Sequence, residues 1–160
     1  MHGPARPSRA SPPDPAALVL LVSGMLLIGA LAFQHLGGLA PCPMCHWQRW
    51  GHVAAAALAA TALLARSRAL ALAAIAALAL AGALGLWHAG VEQGWWPSPV
   101  GCAASVSAAG TAEAFVDRLM QAPLVRCDQI PWSFLGLSMA GWNAAVSFAG
   151  ALLAGLMWRR

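Results

Sequence analysis

The chain is predicted to be an all-α integral membrane protein, a four-transmembrane-helix bundle with a short amphipathic surface helix in its second outer loop. Three observations predict this. Hydrophobic residues make up 60% of the 160 positions and charged residues 9%, a balance too apolar for a water-soluble globule. Four stretches reach the roughly 20 mostly apolar residues that a helix needs to cross a bilayer. All nine lysine-or-arginine positions are arginines, dispersed along the chain rather than gathered on one element, so the formal charge of +4 speaks of topology and not of nucleic acid.

Taken in order, residues 1–15 contain Pro4, Pro7, Pro12, Pro13 and Pro15 and few apolar residues, and are expected to form a disordered cytoplasmic tail ahead of a membrane domain at 16–160. The spans are expected at 16–36, 47–65, 69–89 and 134–158, with outer loops at 37–46 and 90–133. Ala30-Leu31-Ala32 could mimic a leader cleavage site, but the apolar run before it is longer than a leader's, so the first helix is expected to be retained. An even number of spans puts both termini on one side. Arg6, Arg9, Arg66, Arg68, Arg159 and Arg160 all fall on that side, which the positive-inside rule makes cytoplasmic. The cysteine-bearing loops then face the other compartment, the periplasm in a bacterium.

Span three and the end of span two are rich in alanine, with Gly82 and Gly85 in span three. Small residues let helices approach closely in lipid, which suits a compact bundle. In the long second loop, Thr111 is a plausible N-cap. Ala112, Phe115, Val116, Leu119 and Met120 then share one helical face, opposite Glu113, Asp117, Arg118 and Gln121, as expected of a helix lying on the membrane surface. Trp95, Trp96 and Trp132 flank it and suit the interfacial belt.

The candidate chemistry lies in four cysteines, Cys42, Cys45, Cys102 and Cys127, two in each outer loop and none in the cytoplasmic segments, as expected in an oxidising compartment. Three pairings are possible and spacing does not choose among them, although Cys42 with Cys45 is the natural close pair. Pro41 and Pro43 bracket Cys42, and a helix beginning near Cys45 would place that sulfur at the positive end of a helix dipole, where a thiolate is favoured. Arg49, one turn on, shares its face and would lower the thiol pKa further; Gln48 and His52 lie on or near the same stripe.

Competing assignments account for fewer residues. Cys42-x-x-Cys45-His46 also spells a c-type haem attachment site, but haem would leave Cys102, Cys127 and Arg49 without a role. Zinc on the four cysteines is disfavoured by the wide spacing of the second pair, and no metal is expected. A non-enzymatic membrane scaffold stapled by two disulfides is the remaining alternative. A dithiol relay needs an electron sink, and with no cysteine mid-span the electrons are expected to leave into the membrane, to a lipid-soluble quinone whose oxygens would meet Arg49 or a histidine.

These residues resemble the disulfide-bond formation protein B (DsbB) family, the quinone reductases that reoxidise the periplasmic thiol oxidase DsbA. The resemblance rests on Pro41-Cys42-x-x-Cys45 with Arg49, on Trp96-Pro97-Ser98-Pro99 leading to Cys102, on Cys127, and on Trp132-x-x-Leu135-Gly136-Leu137-Ser138-Met139-x-x-Trp142-Asn143. It implies a multi-pass protein of the bacterial inner membrane whose partner is a DsbA-like thioredoxin-fold thiol oxidase and whose cofactor is ubiquinone or menaquinone. It further implies that reduced DsbA attacks the Cys102–Cys127 disulfide at Cys102, with residues 97–103 in DsbA's peptide groove. Cys127 then attacks Cys42 and frees Cys45 as the thiolate that donates to quinone, while Arg49 holds the quinone and His88 stands near it. His46 and Gln48 depart from the family pattern.

Overall fold

The computed structural model describes residues 14–100, 111–113, 116 and 125–159. Four long helices follow one another: α1 (Pro15–His35), α2 (Pro43–Ala65), α3 (Arg68–Glu92) and α4 (Met139–Trp158). Ahead of α4, strands β1 (Ser133–Phe134) and β2 (Leu137–Ser138) pair antiparallel. Cys102, nearly all of the expected tail and most of the helix expected after Thr111 lie outside the described residues.

Each helix starts on a side chain that satisfies backbone donors its first turn cannot bond internally. Asp14 Oδ1 accepts from Ala16 N at 2.8 Å, Cys42 Sγ from Cys45 N at 3.2 Å, Ser67 Oγ from Leu70 N at 3.4 Å and Ser138 Oγ from Gly141 N at 3.1 Å. Two starts correct the sequence expectation. The second helix begins at Pro43 rather than near Cys45, because Pro43 is preorganised for the first helical position and Cys42 serves as its cap. The fourth begins at Met139 rather than Phe134, because Leu135 and Gly136 both take positive φ (51° and 79°) and close a two-residue hairpin turn.

The packing inverts that of a soluble globule. The centre is built from small residues, among them Ala55, Ala59, Ala62, Ala74 and Ala81, with Leu78 and Val19 as the large fillers, while Leu21, Ile28, Leu64, Leu80 and Leu152 point outward. Such a molecule needs an apolar surrounding for its surface and close backbone approach for its cohesion. Helices α1, α3 and α4 are long and apolar enough to cross a membrane. Helix α2 has the length but a lower mean hydropathy, since His46, Gln48, Arg49 and His52 crowd its first three turns. At the opposite end the Arg68 guanidinium lies 4.6 Å from the Trp158 ring, tying the start of α3 to the end of α4.

One close approach falls where α3 crosses α4. A Cβ on Gly85 would stand 2.9 Å from Asn143 Nδ2 and 3.0 Å from the Ala140 carbonyl oxygen, so any larger residue pushes the helices apart. Gly85→Ala is expected to cost about 1–3 kcal/mol, read as a lower Tm of the detergent-solubilised protein. Gly155→Ala, at a position with nothing within 4 Å, is expected to be neutral or slightly stabilising.

Candidate functional site

The first turn of α2, the end of α3, the start of α4 and the segment around Cys127 converge at one end of the bundle. Cys42, His88 and Cys127 are all buried there, and Cys42 Sγ, Cys127 Sγ and a His88 ring nitrogen all lie within 4.8 Å of one another. Cys42 Sγ is 2.8 Å from Cys45 Sγ and 3.6 Å from His88 Nε2. The three described cysteines are free thiols. Cys127, distant in sequence, thus meets the Cys42–Cys45 pair directly.

A chain of buried polar groups positions the histidine. Asn143 Nδ2 donates to Gln48 Oε1 at 2.6 Å, and Gln48 Nε2 in turn donates to His88 Nδ1 at 2.8 Å. With Nδ1 accepting, the ring proton sits on Nε2, which donates to the Cys127 carbonyl oxygen at 3.1 Å and faces Cys42. At the other end Asn143 Oδ1 accepts from His52 Nε2 at 2.7 Å and from Ser147 Oγ at 3.0 Å. One run of hydrogen bonds therefore links α2, α3 and α4 to the backbone of the cysteine segment. Beside it, Glu92 approaches His88 Nε2 to 4.0 Å and accepts from Ser138 Oγ, the cap of α4.

The two sulfurs of the close pair differ. Both precede residues 47–65, where the sequence places the second span. The Cys45 thiol is pushed below the ordinary thiol range by a hydrogen bond from the Cys42 side chain, with help from the Cys42 backbone and the Arg49 cation, which together outweigh burial. The Cys42 thiol is pushed up because it supplies that hydrogen bond, and burial adds to the effect. Of the two, Cys45 is thus the thiol that gives up its proton more readily.

Arg49 is already engaged. Its guanidinium donates to the Gln34 side chain and, at 3.1 Å, to the Ala30 carbonyl oxygen, both on α1. It forms one wall of a cavity of about 960 Å³ between α1, α2, α4 and the segment from Val125 to Trp132, also bordered by Cys42, Cys45, His52 and His88. The remaining lining is largely apolar and aromatic: Phe33 meets Trp132 at 4.9 Å between ring centroids, and Trp132 stacks on Phe134 at 6.2 Å.

Of the residues singled out in sequence, Cys42, Cys45, Cys127, Arg49 and His88 share this site, whereas Cys102 lies outside the described residues. The sequence placed Gln48 near the Cys45–Arg49 stripe and Asn143 in the motif that opens the last span but gave neither a role, and it gave none to Ser147 or Glu92. A polar side chain inside a span was the signal available for Asn143.

The family model described as "Disulfide bond formation protein DsbB" matches residues 14–157. Disulfide bond formation protein B of Polaromonas sp. (strain JS666 / ATCC BAA-500) is 33% identical over 154 residues, covering 88% of this chain and 86% of that protein. The protein of the same name from Marinobacter nauticus (strain ATCC 700491 / DSM 11845 / VT8) is 34% identical over 149 residues, 87% of this chain and 86% of that one. The one from Nitrosomonas europaea (strain ATCC 19718 / CIP 103999 / KCTC 2705 / NBRC 14298) is 29% identical over 160 residues, 89% and 90% respectively. No solved structure matches. With its apolar helices, its clustered thiols and a match along nearly its whole length, the chain belongs to the DsbB family of membrane disulfide bond formation proteins.

Proposed function

We propose that this protein is a quinone-dependent thiol–disulfide oxidoreductase of the bacterial inner membrane, which reoxidises a DsbA-like periplasmic dithiol oxidase through its two cysteine pairs. All four helices span the membrane, α2 over 47–65, with both termini cytoplasmic and the cysteine loops periplasmic. The supporting observation is the packing of Cys127 against Cys42: a sulfur from the second loop lies within reach of the first pair. A scaffold with two separate staples has no use for that contact.

The relay balances as a series of thiol–disulfide exchanges. The partner's dithiol reduces the Cys102–Cys127 disulfide through a mixed disulfide at Cys102 and leaves oxidised. The freed Cys127 attacks Cys42 of the Cys42–Cys45 disulfide, and Cys45 departs as a thiolate. Cys102 then attacks Cys127, restoring its own pair and leaving Cys42 and Cys45 reduced. The hydrogen bond and cation that lower the Cys45 thiol make it the better leaving group. His88, donating to the Cys127 carbonyl, holds that segment over Cys42.

A bound quinone would supply the two-electron, two-proton acceptor. The aromatic, largely apolar cavity beside Cys45 is large enough for its ring, and Arg49 and the histidines give polar anchors along one wall. Arg49 is held there by α1, so its donors are oriented before any ligand arrives.

Quinone reduction by the purified protein, supplied with a reduced DsbA-like oxidase, tests the whole scheme, and Cys45→Ser is expected to abolish it. Turnover unaffected by that substitution would refute the relay. Arg49→His is expected to raise the apparent quinone KM by roughly tenfold, the equivalent of about one charge-assisted hydrogen bond, with kcat less affected. In the reduced protein, Cys45 is expected to be alkylated by iodoacetamide at lower pH than an ordinary thiol. In Cys42→Ala the midpoint should move upward, because the hydrogen bond that stabilises the thiolate is gone. Peptide mass spectrometry across a pH series reads both.

A further inference from the structure

The relay uses Cys42 and Cys127 in turn, yet in the reduced state both sulfurs face His88 together. Three ligand atoms of the type that zinc-class cations select, two sulfurs and one imidazole nitrogen, lie within 4.8 Å of one another in a buried pocket. Their spacing is informative. Zinc-ligand bond lengths in a tetrahedron put sulfur and nitrogen about 3.5 Å apart and two sulfurs about 3.8 Å apart. Cys42 Sγ and His88 Nε2 are 3.6 Å apart, whereas Cys42 Sγ and Cys45 Sγ, at 2.8 Å, are too close to serve one ion without moving. The geometry therefore favours the inter-loop pair with histidine over the Cys-x-x-Cys pair.

We propose that the fully reduced protein binds one zinc-class cation through Cys42 Sγ, Cys127 Sγ and His88 Nε2, and that oxidation of either cysteine releases it. Binding displaces the two thiol protons to solvent and changes no oxidation state. Ion binding requires a lone pair on His88 Nε2, so the ring proton must shift to Nδ1 and find an acceptor there. A metal-bound histidine nearly always donates its other N–H in this way. Turning the Gln48 amide presents Oε1 to Nδ1. Asn143 turns with it, and His52 Nε2 then accepts from the Asn143 amide. The reversal gives up the Gln48 Nε2 bond to the Met44 carbonyl and moves the His52 proton to the buried, unpartnered Nδ1, so ion binding has to outweigh that cost. Glu92, 4.0 Å from His88 Nε2, sets a carboxylate beside the cation, and the adjoining cavity gives the ion a route in.

An ion so held occupies both sulfurs of the inter-loop exchange and stops it until the ion leaves. That consequence rests on the relay proposed above, whereas the binding does not, so the test reads binding. The EDTA-washed, fully reduced protein in detergent is titrated with Cd²⁺, following sulfur-to-cadmium charge-transfer absorption in the ultraviolet. The expected result is one Cd²⁺ per chain in reduced wild type, Cys45→Ser and Cys102→Ser, with none after diamide oxidation of wild type. Cys127→Ser and His88→Ala are each expected to weaken binding by at least the roughly tenfold that losing an outer hydrogen-bond partner of a ligand can cost. Cys127→Ser is nearly isosteric, so it remains informative if His88→Ala misfolds. Binding lost in Cys45→Ser but kept in Cys127→Ser would overturn the proposal in favour of simple Cys-x-x-Cys chelation. Equal binding by oxidised and reduced wild type would also overturn it.

Discussion

The hydrogen-bonded run from Ser147 and His52 through Asn143 and Gln48 to His88 is the constraint on which the functional end of this molecule depends. A bundle of alanine, glycine and leucine in lipid gains little from burying apolar surface, because its surroundings are already apolar, and helices there cohere through close packing and hydrogen bonds between side chains. A polar atom inside is costly unless it finds a partner within the protein, because lipid offers none. Here each carboxamide joins two helices, so the register of α2, α3 and α4 follows from the need to satisfy these groups. Gly85 permits the approach that brings Asn143 to Gln48.

The chain also passes its order on to the chemistry. Because Gln48 donates to His88 Nδ1, the opposite nitrogen carries the proton and holds the carbonyl of Cys127. A residue of the long second connection is thereby pinned over the first turn of α2, where Cys42 caps the helix with its own sulfur. The hydrogen bond between the two thiols, with burial of Cys42 and the Arg49 cation beside Cys45, separates them: the Cys42 thiol is pushed up and the Cys45 thiol down.

The two ends of the bundle are built for different tasks. Around Leu78, Ala59 and Ala74 the helices pack closely through small residues. Toward the cysteines the large cavity lies between α1, α2 and α4, and Arg49 reaches from α2 to Ala30 and Gln34 of α1. The bundle thus has a closely packed end and an open end, and the buried thiols lie at the open one.

Much of this was legible in the sequence because it rests on local rules. Apolar runs of bilayer length placed the helices to within a few residues. The cysteine spacing with its prolines and Arg49 singled out residues that the structure gathers at one end of the bundle. Where local chemistry was misjudged, the cause is specific. Cys42 supplies a cap that cysteine seldom provides, so the helix starts at Pro43, and Leu135 accepts a left-handed conformation that its side chain does not favour, so a hairpin precedes α4. The family resemblance implied that Cys127 reaches Cys42, but only the tertiary structure decided that His88 lies beside both sulfurs and that Asn143 orients His88 through Gln48. Those contacts join residues 39 to 95 positions apart. The pattern along one helix states which face is polar but not which polar group on another helix it will meet, and that is settled by the register in which the helices pack.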